Sequence, residues 1–407
     1  MPTNWILGDL FLKDFGHQNS IKLLWEQRWK FPVSPPRPWG PYSRRSFHDG
    51  KFEDFEPIFE ALIKDDINDP YDDVYAQAFI PTAEALVAAA AEAEGTNKEE
   101  AISLYKRACT VYRLARFPYI GTPLKEKVYA AQKEAYLRGA SLWDVPVEEV
   151  VIPHTHAAGS DGKEIPLYVR TPKGAVNAPV ILLITGLDGH RPDNTERTQA
   201  HLDRGWATVI LDIPGVADCP ADRRDPVAPE RLFEAVFEWI ATRKEFNPQK
   251  VVAWGLSAGG YYAIRLAHTH AENLAGAVGH GAGTHHYIGA EWLAHVGHHE
   301  YPFDLRRAYV GKYGYGSWEE LVEKCQKEFS LVKSGVLEKR NCRLLLVNGV
   351  LDGCMPIEDS MLLMEYGGPK EARFVKGRAH MGYPEANSYV YPWLEHVMAT
   401  TTAGQKP

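Results

Sequence analysis

Cysteine is scarce and unpatterned. The 407 residues hold five, Cys109, Cys219, Cys325, Cys342 and Cys354, an odd number without a C-x-x-C pair. That argues against a disulfide framework or a zinc ribbon and reads as reduced, intracellular thiols. Positive charge is in short supply too: 45 Lys and Arg face 53 Asp and Glu, a net charge of −8. No basic field exists to hold nucleic acid or anionic lipid. Long apolar runs are missing. A clean run such as residues 179–184 falls far short of the roughly 20 residues of a membrane span. Asp9, Lys13 and Asp14 interrupt the N-terminus, which has no signal-peptide core. The C-terminus carries no lipidation or retention signal. Neither an internal repeat nor a Walker A sequence is present. The expectation is a cytoplasmic protein with no transmembrane segment and no nucleic-acid partner.

What remains is ordinary globular composition, with 45% hydrophobic and 24% charged residues. The length suits two or three domains, or one enlarged domain with an appendage. The chain changes character near residue 150. Before it, residues 54–64, 82–94, 98–117 and 125–142 carry apolar side chains at helical spacing. The Pro-rich stretch 32–42 reads as an irregular loop. After residue 150, short apolar runs alternate with helical stretches. The runs are 147–152, 165–170, 180–184, 207–211, 251–254, 276–278, 343–347 and 372–375. That is the pattern of a mostly parallel sheet buried on both faces. The expected class is α/β, a mostly parallel central sheet flanked by helices, with an N-terminal helical domain or cap. Residues 1–146 would form the helical domain and part of the substrate pocket. Residues 147–407 would form the catalytic domain, with 280–330 as a pocket-lining insertion.

The chemistry enters at residues 251–264, VVAWGLSAGGYYAI. A buried strand runs into Gly255-Leu-Ser257-Ala-Gly259 and then into a helix, the context a nucleophile elbow needs. The glycines remove side chains that would clash at so sharp a turn. The helix N-terminus offers N–H groups and a positive dipole to a developing oxyanion. The elbow makes the expected fold an α/β-hydrolase fold, in which the acid and base should follow in that order. Asp352 lies in a loop after the strand at 343–347, and His380 lies in a loop after the last strand. His380 would accept the Ser257 proton, and Asp352 would fix its tautomer. Asp188, Asp212 and Asp359 are rival acids; the first two follow earlier strands, and Asp359 falls in the next helix. The oxyanion donors would be the N–H of Ala258 and that of Leu187, with Gly186 as the alternative. Asp188, Tyr119, Tyr261, Trp292 and Tyr383 are candidate substrate contacts, because aromatic walls suit a planar aromatic substrate. The histidine-rich stretch His280, His285, His286, His295, His298 and His299 matches no zinc signature. The expectation is no metal and no cofactor.

Longer segments carry a family resemblance: residues 4–9, 24–31 and 47–50, Thr185-Gly-Leu-Asp-Gly189, Arg191-Pro-Asp-Asn194, residues 217–222, Trp254–Arg265 and His380-Met-Gly-Tyr-Pro384. On these the chain resembles fungal yellowish-green-1 type polyketide-shortening hydrolases of melanin pathways. More distantly it is similar to bacterial hydrolases that cleave a carbon–carbon bond beside an aromatic ketone. The resemblance implies a serine hydrolase acting on C–C bonds in ketonic substances. It would shorten a heptaketide naphthopyrone, or an acylated polyhydroxynaphthalene, to 1,3,6,8-tetrahydroxynaphthalene. The partner would be a small aromatic polyketide. A homodimer and peripheral association with endosomes or vesicles are compatible with it. A serine esterase or lactonase with another bulky aromatic substrate would carry the same three residues.

Overall fold

The structure is a computed structural model, described here for residues 17–29 and 47–405. The Pro-rich stretch 32–42 and the segment 4–9 lie outside the described residues. The chain divides into two compact units. Among the described residues one unit holds 17–29, 47–148 and 302–308, and the other holds 149–301 and 309–405.

The first unit is helical. Its main helices are α1 (Phe52–Lys64), α2 (Ile80–Ala93), α3 (Lys98–Arg116) and α4 (Pro123–Ser141). Local signals set their starts. The Asn97 side chain accepts the Glu100 N–H ahead of α3, and Thr122 accepts the Lys125 N–H ahead of α4, which opens on Pro123. Such caps satisfy N–H groups that a helix start leaves open. Inside α3 and α4, Arg116 donates to Gln132 at 2.6 Å and Gln132 donates to the Cys109 carbonyl at 3.2 Å. An aromatic cluster fills the core: Trp25 stacks on Phe59 at 4.5 Å, and Phe47 meets Phe55 edge-on at 4.6 Å. The chain returns to this unit at 302–308 because Phe303 packs edge-on against Trp29, Tyr75 and Phe117. One helical stretch among the described residues, Asp73–Ala93, is long and apolar enough to cross a membrane. It is broken ahead of α2 and buries Ala83, Leu86 and Ala90.

The second unit is built on eight strands: β1 (Glu148–Pro153), β2 (Glu164–Arg170), β3 (Ala178–Ile184), β4 (Ala207–Leu211), β5 (Phe246–Leu256), β6 (Gly276–His280), β7 (Leu344–Gly349) and β8 (Glu371–Val375). Their order is β1-β2-β4-β3-β5-β6-β7-β8. Only the β2–β4 pairing among those from β2 onward is antiparallel; β4 to β8 run parallel. Strands β4, β6 and β7 are buried along their whole length, as a sheet covered on both faces requires; helices α5 (Thr195–Leu202) and α6 (Ala228–Thr242) pack against β4 and β5. This is the α/β-hydrolase fold. The strand order reverses at β3, which has β4 on one side and β5 on the other, and the carboxyl ends of strands at such a point are the usual ligand position in open α/β sheets. Ile184 pairs with Gly255 there, so the loops after β3 and β5 leave the sheet side by side.

The Lys125 ammonium is wholly buried in the helical unit, donating to the carbonyls of Pro70 and Phe117. Loss of hydration pulls its pKa down from the usual lysine value to about 7. Above pH 7 the unfolded chain therefore holds this proton more firmly than the folded one, and stability rises with pH until the unfolded lysine also deprotonates. Replacing Lys125 by Met removes that gain and strands two carbonyls. The melting temperature of Lys125→Met should fall below that of the parent by a margin that widens from pH 7 to pH 10. A constant margin, read by calorimetry, would refute the assignment.

Candidate active site

Ser257 sits between the end of β5 and the start of α7 (Ala258–Thr269) with φ 55° and ψ −121°. An L residue is strained there, by on the order of 1–3 kcal/mol. Surrounding bonds hold it: the Ser257 N–H donates to the His280 carbonyl at 2.7 Å, and the Gly260 N–H donates to the Ser257 carbonyl at 2.8 Å. A Cβ on Gly255 would lie 2.2 Å from the Gly259 carbonyl oxygen, and one on Gly259 would lie 2.1 Å from the Thr185 carbonyl oxygen. The turn closes only with glycine at both positions.

Asp352 follows β7 and His380 follows β8, and the structure brings both to Ser257. His380 Nε2 lies 2.8 Å from Ser257 Oγ, and His380 Nδ1 lies 2.7 Å from Asp352 Oδ2. The carboxylate can only accept, so Nδ1 carries the hydrogen and Nε2 is left as the acceptor for the serine hydroxyl. Asp352 has no solvent exposure, and its other oxygen accepts the N–H groups of Cys354 and Met355 at 2.7 and 2.9 Å. Both oxygens are thus fixed. Beyond His380, Met381 has φ 67°. Its N–H donates to Asn348 Oδ1, and its carbonyl lies 2.7 Å from His280 Nε2. The base therefore stands on a loop pinned on both sides.

The loop after β3 passes against the serine. A Cβ on Gly186 would lie 3.4 Å from Ser257 Cβ. Leu187 is buried in that loop and Ala258 begins α7. Arg191 is fully buried just beyond the loop. It donates to Asp212 at 2.8 Å and forks onto both oxygens of Asp218 at 2.6 and 2.9 Å, while Asp212 also accepts the Thr185 hydroxyl. Asp212 is therefore a loop anchor. Asp359, in the helix Ile357–Leu362, accepts the backbone N–H groups of His285, His286 and Tyr287 and shapes the segment after β6. The acid that reaches the histidine is Asp352.

The candidate substrate contacts are dispersed. Asp188 accepts the Tyr301 hydroxyl. The Tyr261 hydroxyl is turned into the core, onto the Phe329 carbonyl at 2.8 Å. Trp292 is buried and packs on His299. The Tyr383 hydroxyl accepts from Arg197 at 2.9 Å, and Tyr119 is a buried residue of the helical unit. The histidine-rich stretch also scatters. His280 supports Met381, His285 lies 2.7 Å from the Ser330 hydroxyl and His299 lies 3.1 Å from the Gly353 carbonyl. Among the described residues, the metal-capable group with ligand atoms within 4.8 Å of one another is Asp352, Cys354 and His380. Two of these three already bond to each other. Burial pushes the thiols of Cys219, Cys325 and Cys342 up to about 12, so they are poor nucleophiles.

Residues 78–399 match the family described as esterase FrsA-like. The chain belongs to the FrsA-like esterase family. Over 143 residues this FrsA-like chain is 28% identical to 2,6-dihydropseudooxynicotine hydrolase of Paenarthrobacter nicotinovorans, covering 35% of this chain and 37% of that protein. Over 169 residues it is 25% identical to esterase FrsA of Salmonella paratyphi B, covering 41% and 39%. The matched stretches thus span about two fifths of those relatives' lengths. Among solved structures, 2,6-dihydroxy-pseudo-oxynicotine hydrolase superposes with a TM-score of 0.70 at 18% identity, over 90% of this chain and 97% of that one. AbyA5 gives 0.61 at 17% identity, over 78% and 89%. These likenesses are of fold. That fold is the α/β-hydrolase fold described above.

The buried Arg191 network was not legible as an anchor. The only sequence signal was Asp212 directly after a buried strand, since a carboxylate in such a place needs a cation. Removing the cation leaves that carboxylate uncompensated. Arg191→Met should lower unfolding free energy by about 3–5 kcal/mol, as read from denaturant midpoints.

Proposed function

We propose that Ser257, His380 and Asp352 are the catalytic nucleophile, base and acid of a serine hydrolase that shortens an aromatic polyketide by hydrolytic C–C cleavage. The observation that carries the triad is the unbroken chain of hydrogen bonds, 2.8 and 2.7 Å long, from the strained serine to the buried carboxylate. The substrate class rests on the resemblance of the long motifs to polyketide-shortening hydrolases. The substrate would be a heptaketide naphthopyrone or acylated polyhydroxynaphthalene, and the product 1,3,6,8-tetrahydroxynaphthalene for melanin.

In this mechanism Ser257 Oγ attacks the side-chain carbonyl carbon while His380 Nε2 takes the hydroxyl proton. The N–H groups of Leu187 and Ala258 hold the oxyanion. Asp352 stabilises the imidazolium without accepting its proton. Collapse breaks the bond between the carbonyl carbon and the ring carbon. The ring carbanion is delocalised onto neighbouring phenol and ketone oxygens and takes the proton back from His380. Water, deprotonated by His380, then hydrolyses the acyl-serine and releases a small keto acid. Only an enolisable, electron-rich ring makes carbon a tolerable leaving group.

The family description as esterase favours a second reading, cleavage of an ester or lactone of a bulky aromatic compound by the same three residues. A product assay separates the two. Incubation with the heptaketide naphthopyrone, followed by liquid chromatography and mass spectrometry, should yield tetrahydroxynaphthalene and an acid. Unchanged naphthopyrone beside rapid aryl-ester cleavage would select the esterase. In either case Ser257→Ala should fold normally and lose at least about 10⁴-fold in kcat. Asp352→Asn should lose a comparable factor, because the amide can stabilise the wrong histidine tautomer. Chelators should leave the rate unchanged.

A further inference from the structure

One short segment touches all three loops around Ser257. His299 Nδ1 lies 3.1 Å from the Gly353 carbonyl, in the loop of the acid. The Glu300 carboxylate accepts the Gly353 N–H at 3.0 Å and, through both oxygens, the His380 N–H at 3.0 Å. The Tyr301 hydroxyl donates to Asp188, in the loop after β3. Glu300 is only 8% exposed. A carboxylate so placed is costly unless its oxygens are well served, and charge-assisted bonds to backbone N–H groups are roughly twice as strong as neutral ones.

We propose that Glu300 is the positioning residue of this site, fixing the loop of the acid to the loop of the base and holding a negative charge at the backbone of His380. This rests on the triad reading above. Glu300 joins the N–H of His380 itself to the N–H of the residue after Asp352. The separation of Asp352 from His380 is therefore set twice, once by their own bond and once by Glu300. Its charge also favours the imidazolium that forms when Ser257 loses its proton. Among the described residues, the other titratable groups placed against His380 are Asp352 at Nδ1, Ser257 at Nε2 and the nearby Cys354 thiol. His280 holds the adjacent Met381 carbonyl, and His299 and Tyr301 flank Glu300. Glu300 and Asp352 are the negative charges of this set.

The test is the rate of Ser257 phosphonylation by a fluorophosphonate probe, which needs no knowledge of the natural substrate, measured from pH 5 to pH 9 on the full chain. Glu300→Gln keeps the shape but loses the charge and puts N–H groups against N–H donors. It should slow labelling about 10- to 100-fold and move the acid limb down by roughly half a unit. Glu300→Asp keeps the charge but retracts it. It should slow labelling and leave the acid limb in place. Labelling of Glu300→Gln at the parental rate with an unmoved limb overturns the proposal. So does a lowered melting temperature with no change in the profile, which is the mark of a merely structural carboxylate. If Glu300→Gln does not fold, Glu300→Asp decides, and a parental rate there overturns the proposal. Ser257→Ala is the control. Its labelling at the parental rate would overturn the triad reading itself, whereas an unlabelled Ser257→Ala beside an unaffected Glu300→Gln would overturn only the role of Glu300.

Discussion

The strained backbone at Ser257 is the constraint on which the rest of the site depends. With φ at 55°, the serine turns sharply out of line instead of continuing β5 or entering α7 in the ordinary way. Nothing local favours that conformation. It persists because β5 and α7 are both locked into a buried sheet and its covering layer, and because Gly255 and Gly259 let the two elements meet at backbone distance. The energy stored in one residue is thus offset by the packing of some dozens of others.

Around that fixed point the structure uses buried charge to set loops. Arg191 with Asp212 and Asp218 secures the loop after β3, Asp359 gathers the backbone after β6, and Glu300 ties the loops after β7 and β8. Each centres on a charged group buried at high cost and held by several directional bonds. Loops supply no periodic apolar face to pack. Directional bonds from a charged centre are the available alternative, and they give a single geometry instead of a family of loosely packed ones.

This division explains what could be read from the sequence. The strands were legible because a sheet covered on both faces demands continuous apolar runs, and Ala207–Leu211 and Leu344–Gly349 are such runs. The helices α1 to α4 were legible by period, with ends within a few residues, and α7 by its place after the serine turn. Ser257, Asp352 and His380 could be nominated because the order of elements leaves each a particular loop, and those loops meet. Glu300 had no such handle. It ends a stretch of histidines, aromatics and glycine without period, and its partners lie 53 and 80 residues further along the chain. Tyr261 was nominated for its nearness in sequence to Ser257, but its hydroxyl bonds inward to Phe329. Position after a motif says which turn a residue occupies and little about where its side chain ends.

The excursion at 302–308 bears on how such a protein could have been assembled. Among the described residues the chain crosses between its two units three times, after residues 148, 301 and 308. A helical unit joined only at residue 148 could be gained or shed as a cassette. Here Phe303 belongs to the aromatic cluster with Trp29, Tyr75 and Phe117, so excision of the N-terminal half would strip that ring of its neighbours and leave the cluster without one of its members. The division into two units is therefore not a division of inheritance. Changes at 302–308 must answer to the helical core, although the residues just before them answer to the chemistry.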